Sequence, residues 1–511
     1  MKLVLLLALA QLAPAQGFRV DEATIASIHA AMQAGNLTCR SLVQSYLDRI
    51  AAYDKKGPAI NSIITVNSRA LVRAAELDAE FARRGLTRPL HCIPFIVKDN
   101  FNTSDLPTSA GSLALAESVP PADAFQVRRI REAGAIVLAK ANMSEFAISG
   151  TETLSSRLPG YTKNPYALDR VTAGSSGGTA AAIAANLGAV GLGSDTENSI
   201  RGPASHTSLV GIRSTMGLTS RSGIVPLDLD RDIGGPMART VSDAVTVFEV
   251  IAGTDPADPV TEASRGKMPA QGYTKLLTKN GLRSKRIGVL RFTLDPETAD
   301  PDIVLLFDRA VADLRAQGAE IVDSVAIPEV EPRSRGETIV WSRCSPFKFQ
   351  LNDYLASLGP SAPFHSLADI LASRKFHPSV GNYMRTAQDV PQPPHGDPAC
   401  EPVREGVRVI RDAVLRVFAD RKLDAVVYPS WSNPPRLIGD QNNPAGMNSG
   451  RIASPTGFPA ITVPMGYVRE FLPAGLEFLG MPWSEPMLFS LAYSYEQATH
   501  HRHSPPTTPP L

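Results

Sequence analysis

The sequence predicts an α/β layer fold, and three observations carry that prediction. Short apolar runs at Ile93 to Val97, Ala135 to Ala139 and Ala189 to Leu192 have the length of buried strands rather than helices. Segments with helical character stand beside them, at Phe125 to Gly134 and Thr179 to Asn186, and such alternation is the pattern of helices layered on a sheet. The 511 residues are 43% hydrophobic and 20% charged, the balance of a folded globular chain long enough to bury a substantial core.

The elements follow in order. Asp21 is placed to cap a first helix running to about Gln33, with Gly35 as its stop, and Thr38 to cap a second through about Tyr53. An Ala/Arg/Glu-rich helix covers Ser68 to Arg84, and the strand at Ile93 to Val97 then delivers Lys98-Asp99-Asn100 at its C-terminal end. Beyond the Ala189 to Leu192 strand come a helix at Arg239 to Ala252, a strand at Lys285 to Arg291, a helix at Pro301 to Gln317 and a strand at Glu320 to Val325. Residues 331–402 are poorer in periodicity and richer in proline, and read as a helical excursion over the site within one domain of residues 18–500. A helix at Val403 to Ala419, strands at Ala425 to Tyr428, Ala460 to Pro464 and Leu476 to Gly480, and a helix at Glu485 to His500 close the chain. The tail, residues 501–511, carries four prolines and is expected to be flexible.

Lys and Arg number 51 against 50 Asp and Glu, so bulk charge gives no reason to expect nucleic acid or an anionic membrane as partner. A small, roughly neutral molecule fits better. Lys2, the apolar run Leu3 to Ala10 and the small-residue pattern Ala13-Pro14-Ala15 form a signal peptide over residues 1–15, so the chain is expected to be exported, with cleavage after Ala15. The run is too short to span a bilayer. Cys39, Cys92, Cys344 and Cys400 allow two bridges in three connectivities, and buried free thiols are slightly preferred in a core this large. Their irregular spacing gives no zinc site.

The chemistry concentrates in two polar turns. Gly174-Ser175-Ser176-Gly177-Gly178 opens a small-residue helix, and a second turn ends in Ser199, 24 positions after Ser175. Glycines there free the backbone for unusual angles and let amides converge on one concavity. A serine nucleophile needs a base. The histidines fall in unpromising places, such as His29 in the first helix and His395, His500, His501 and His503 in loop or tail. Lys98, at the end of an apolar strand, is where burial lowers a lysine pKa far enough to leave it neutral.

These residues resemble the amidase signature family. The resemblance rests on PLHCIPFIVKDNFNTSDLPTSAGS, on AGSSGGTAAAIAANLGAVGLGSDTENSIRGPA, and on FPAITVPMGY with LPAGLEFLG. Matches run from the first helices to the tail, are densest between Pro89 and Ala252, and within the family point to bacterial peptide amidases. The resemblance implies a large mixed central sheet sandwiched between helices, and hydrolysis of a linear carboxamide C–N bond with no metal or cofactor. It also implies roles: Ser199 as nucleophile, Ser175 as proton relay on a cis peptide with Gly174, and Lys98 as general base. Backbone amides of Thr196, Glu197, Asn198 and Ser199 would form the oxyanion hole, with Ser176, Asp195 and Arg201 as supports and Arg201 paired to Asp195. Three departures stand out. Glu197-Asn198 replaces the usual Gly-Gly, with asparagine suited to left-handed angles and glutamate bringing a charge beside the oxyanion hole, while Cys92 and Ala173 stand where the family has glycine.

Two other motifs compete weakly. Gly174 to Gly178 satisfies G-x-S-x-G with Ser176 as nucleophile, and Ser345-Pro-Phe-Lys348 satisfies S-x-x-K, but neither has its companion motifs. Two alternatives of other classes remain: a catalytically impaired amidase-like binding protein, which Glu197-Asn198 would permit, and the glutaminase-type subunit of a tRNA-dependent amidotransferase. The substrate stays open among peptide, aryl and fatty amides.

Overall fold

The computed structural model describes residues 18–330, 344–360, 362–440, 442 and 446–511. The expected signal peptide therefore lies outside the described residues, as does the start of the excursion at 331–343. The first half of the chain supplies strands β1 (Ile63–Val66), β2 (Pro94–Lys98), β3 (Ile136–Ala141), β4 (Lys163–Asn164), β5 (Ala167–Val171) and β6 (Val190–Asp195). Then come β7 (Val210–Arg213), β8 (Ile233–Ala238), β9 (Arg286–Val289), β10 (Glu320–Val322), β11 (Ala425–Pro429), β12 (Ala460–Val468) and β13 (Leu472–Leu479).

Eleven of these form one mixed sheet in the order β1-β3-β2-β6-β8-β7-β12-β13-β11-β9-β10, while β4 and β5 pair separately. β2 runs parallel to both β3 and β6, and β11 parallel to β9, whereas β6, β8, β7, β12 and β13 alternate in direction. β2, β3, β6, β11 and β13 are buried along their whole length, which is why they read as largely apolar runs, with Lys98 and Asp195 at the ends of β2 and β6 and Glu477 inside β13. β2 ends in Lys98 and β6 in Asp195, so the two neighbouring parallel strands open their C-terminal ends at one place.

The helix Gly177–Ala184 packs closely on its neighbours because glycines stand at the points of contact. A Cβ on Gly191 would stand 2.4 Å from Thr179, and one on Gly178 would stand 2.1 Å from the Asn142 carbonyl. Helices Phe347–Ser357, Leu367–Ser373 and Pro378–Gln388 make up the described part of the excursion. They share a cluster of buried side chains, with Phe347, Leu351 and Met384 packed against Met143, Phe146 and Val225.

Several expectations are corrected. The first helix is Ile25–Gln33 and its cap is Thr24, not Asp21: Thr24 and Ser27 exchange hydrogen bonds in a reciprocal box, while Asp21 pairs with Arg49 at 2.8 Å. The cysteines are two disulfides, Cys39–Cys92 and Cys344–Cys400, rather than free thiols. The tail is packed, not frayed. Arg49 donates to the carbonyls of Thr508 (2.9 Å) and Pro509 (3.0 Å), Tyr166 to that of His503 (2.6 Å), and Thr508 is fully buried.

Candidate active site

Lys98 and Ser175 meet at the open ends of β2 and β6, and the turn that carries Ser199 adjoins the Ser175 turn through its backbone. Lys98 is completely buried; its Nζ lies 2.7 Å from Ser175 Oγ, 2.9 Å from Ser194 Oγ and 3.2 Å from the Ser194 carbonyl. Burial drives its pKa down from 10.5 to about 7, against an upward pull from Asp232 and Asp195. Near neutral pH a large share of Lys98 is therefore uncharged.

The Gly174–Ser175 peptide is cis. The Ser176 N–H donates to the Ser199 carbonyl at 3.2 Å, fastening the second polar turn onto the first. The Ser176 hydroxyl donates to the Ser194 carbonyl, the same oxygen that faces Lys98, so it is spent on holding the lysine's surroundings rather than free as a nucleophile. The glycines of the first turn serve close approach, not unusual angles. None of Gly174, Gly177 and Gly178 has positive φ, and a Cβ on Gly174 would lie 2.3 Å from the Glu152 carbonyl. The left-handed angles fall instead on Ala173 (φ 58°) and Cys92 (φ 63°), the two positions where the resemblance leads one to expect glycine.

The turn from Thr196 to Ser199 is clamped from below. Arg201 donates to the Glu197 carbonyl at 2.7 Å and pairs with Asp195 at 3.1 Å, as its place in the sequence implied. Burial alone would raise the Asp195 pKa, but Arg201 and Arg213 outweigh it and hold the group at about 2. Among the described residues, no protein acceptor takes the N–H groups of Glu197, Asn198 or Ser199. Neither Glu197 nor Asn198 has positive φ, so the backbone here makes no demand that only glycine meets. Glu197 keeps exposed surface although its stem lies against Gly450, whereas Asn198 is fully buried.

Sequence reasoning missed four partners. Asp232, at the threshold of β8, accepts the Thr196 hydroxyl and the N–H groups of Leu227 (2.9 Å) and Asp228 (3.0 Å). Ser194 is the nearest neighbour of Lys98 besides Ser175, and Arg213 and Glu477 complete the clamp around Asp195 and Arg201. A polar residue at the end of a buried strand was the available signal for Ser194 and Asp232. The S-x-x-K pattern dissolves: Ser345 hydrogen-bonds Tyr383 at 2.9 Å, while the Lys348 ammonium donates to the carbonyls of Gln388 and Val390.

The family model described as Amidase matches residues 41–489. The chain belongs to the amidase family. It is accordingly an amidohydrolase acting on amides. A peptide amidase from Stenotrophomonas maltophilia superposes with a TM-score of 0.85 at 38% identity, covering 95% of this chain and 98% of that one. A probable amidase of Arabidopsis thaliana is 35% identical over 96% of this chain and 92% of its own length. A glutamyl-tRNA(Gln) amidotransferase subunit from Symbiobacterium thermophilum is 34% identical over 93% of this chain and 96% of its own length.

Proposed function

We propose that this chain hydrolyses the C-terminal carboxamide of peptides by acyl transfer through Ser199, Ser175 and Lys98. The observation that carries the reading is a buried lysine, its pKa brought down to about 7, hydrogen-bonded to Ser175 on the turn that the Ser199 turn is fastened to. Neutral Lys98 takes the Ser175 hydroxyl proton as Ser175 takes that of Ser199, and Ser199 Oγ attacks the carbonyl carbon. The oxyanion settles against the free N–H groups of the Thr196 to Ser199 turn, where removal of a single donor costs about 10²–10³ in rate. Collapse expels ammonia, protonated from Lys98 by the reverse path, and leaves an ester on Ser199 that water cleaves by the same relay. The route uses side chains and backbone amides throughout and calls on no metal or cofactor. Peptide amides are favoured over aryl and fatty amides by the likeness to the Stenotrophomonas peptide amidase.

Export to the periplasm or beyond is part of the same proposal. The N-terminal pattern over residues 1–15 supports it, and so do two disulfides with no free cysteine, a state that oxidising compartments maintain.

A fluorophosphonate probe applied from pH 5 to pH 9 tests the mechanism. Labelling should rise through a midpoint near pH 7, because protonated Lys98 cannot accept the serine proton and its folded pKa is about 7. Ser199→Ala should abolish labelling, and Lys98→Ala should slow turnover by orders of magnitude. An unlabelled wild type at pH 9 would point to an impaired, amide-binding protein, and an unchanged Lys98→Ala rate would remove the lysine from the mechanism. A panel of peptide, aryl and fatty amides with free glutamine tests the substrate. Ammonia released from glutamine alone would favour the second reading, which the likeness to the amidotransferase of Symbiobacterium supports.

A further inference from the structure

Asn198 is fully buried although it adjoins Ser199. Its Nδ2 donates to the Gly150 carbonyl at 3.3 Å, and that same oxygen accepts the Gly174 N–H at 3.0 Å. Gly174 is the residue whose cis peptide carries Ser175. One carbonyl oxygen thus takes a hydrogen bond from each of the two serine turns.

The surroundings are shaped to the carboxamide. A Cβ on Gly150 would lie 2.5 Å from Asn198 Oδ1, and a Cβ on Gly202 would lie 2.3 Å from Nδ2 and 2.9 Å from the Trp431 indole nitrogen. Two glycines and an indole therefore form a slot that the side chain fills. Oδ1 is buried and takes no hydrogen bond among the described residues, a cost that an apolar side chain of the same shape would avoid. Packing alone therefore does not account for asparagine here; the Nδ2 bond does.

We propose that Asn198 is a positioning residue that locks the Ser199 turn to the Ser175 turn through the Gly150 carbonyl. The nucleophile and the free N–H groups beside it then keep a fixed placement over the Ser175–Lys98 pair. The role rests on the reading of Ser199 as nucleophile given above. A misplacement of about 1 Å in such a site costs about 10² in rate, so a loosened turn shows in turnover before it shows in binding.

Asn198→Leu keeps the shape and removes the donor; Asn198→Ala removes both. Each should lower kcat and the fluorophosphonate labelling rate by about 10- to 100-fold, with KM within about threefold and the labelling midpoint unmoved, since Lys98 is untouched. Gly150→Ala pushes the carboxamide out of its slot and should match that loss. The double variant Gly150→Ala/Asn198→Ala should then be no worse than either single, because both break one contact. Hydrogen exchange over residues 196–202 should quicken in Asn198→Leu. Wild-type rates in Asn198→Leu, or additive losses in the double variant, overturn the brace. Were the wild type itself inert toward amides and the probe, the function proposed above would fail, while unchanged exchange over 196–202 would separately overturn the brace.

Discussion

At the scale of single residues, the site depends on where a Cβ stands and on which charge is absent. Ala173 holds a left-handed φ of 58° immediately before the cis Gly174–Ser175 peptide, a conformation that costs a residue with a Cβ about 1 kcal/mol relative to glycine. Its side chain is fully buried, so the loss of one methyl offsets part of any gain. Ala173→Gly is expected to keep wild-type turnover and to raise stability by up to about 1 kcal/mol in urea unfolding. A stability loss above that size would mean that the methyl packs better than the angle strains. Lys98 owes its chemistry to the same economy of atoms, since burial lowers its pKa while its hydrogen bonds come from neutral oxygens of Ser175 and Ser194.

At the scale of elements, β6, β7, β13 and the helix Arg201–His206 are joined by four completely buried charges. Asp195 pairs with Arg201 and Arg213, and Arg201 reaches Glu477 on β13. Glu477 also accepts the hydroxyls of Tyr428 (3.0 Å) and Ser449 (2.5 Å). Two positive and two negative groups leave no net buried charge, and removing one leaves its partner stranded at a cost of about 3–5 kcal/mol. Glu477→Gln should therefore destabilise by that amount in chemical unfolding, and a loss below about 1 kcal/mol would show that the network is not cooperative. Of this assembly only the Asp195–Arg201 pair was legible, because the two residues sit six apart around one turn. Glu477 lies on a strand 276 residues further on, and nothing local marks a glutamate in an apolar run as the partner of a distant arginine. The positions of β2, β3, β6 and β11 were legible because burial on both faces makes each an apolar run. β7 and β8, equally buried, were not read: Gly211 and the Gly234-Gly235-Pro236 run break their apolar pattern. The order of the strands in the sheet was not legible, since pairing between distant strands leaves no local trace.

At the scale of the whole molecule, composition alone misjudged how the chain is tied together. Proline and polar residues at 501–511 match the profile of a free end, yet they are held by side chains far away in sequence. Tyr53 donates to the Pro509 carbonyl at 2.8 Å, Arg49 to those of Thr508 and Pro509, and Arg502 pairs with Glu22 at 2.7 Å. The carbonyls left unpaired within a proline-rich segment are what buried arginine and tyrosine can use, and no periodicity announces that. Asn186, which donates to Ser504 at 3.2 Å, follows the C-terminal end of the helix Gly177–Ala184, whose other end carries Ser175 and Ser176. At 1.5 Å per residue that helix sets the tail about 12 Å from the catalytic turn. Deleting residues 503–511 should therefore separate stability from chemistry. Arg49 and Tyr53 would lose buried acceptors worth about 1–3 kcal/mol each, lowering the thermal midpoint by several degrees. Turnover below that midpoint should stay within about twofold of wild type, because no group of the site touches the deleted segment. A truncated chain with an unchanged midpoint would mean that the tail contacts contribute nothing, and one that unfolds normally yet loses activity would mean that the strap reaches the site through the helix.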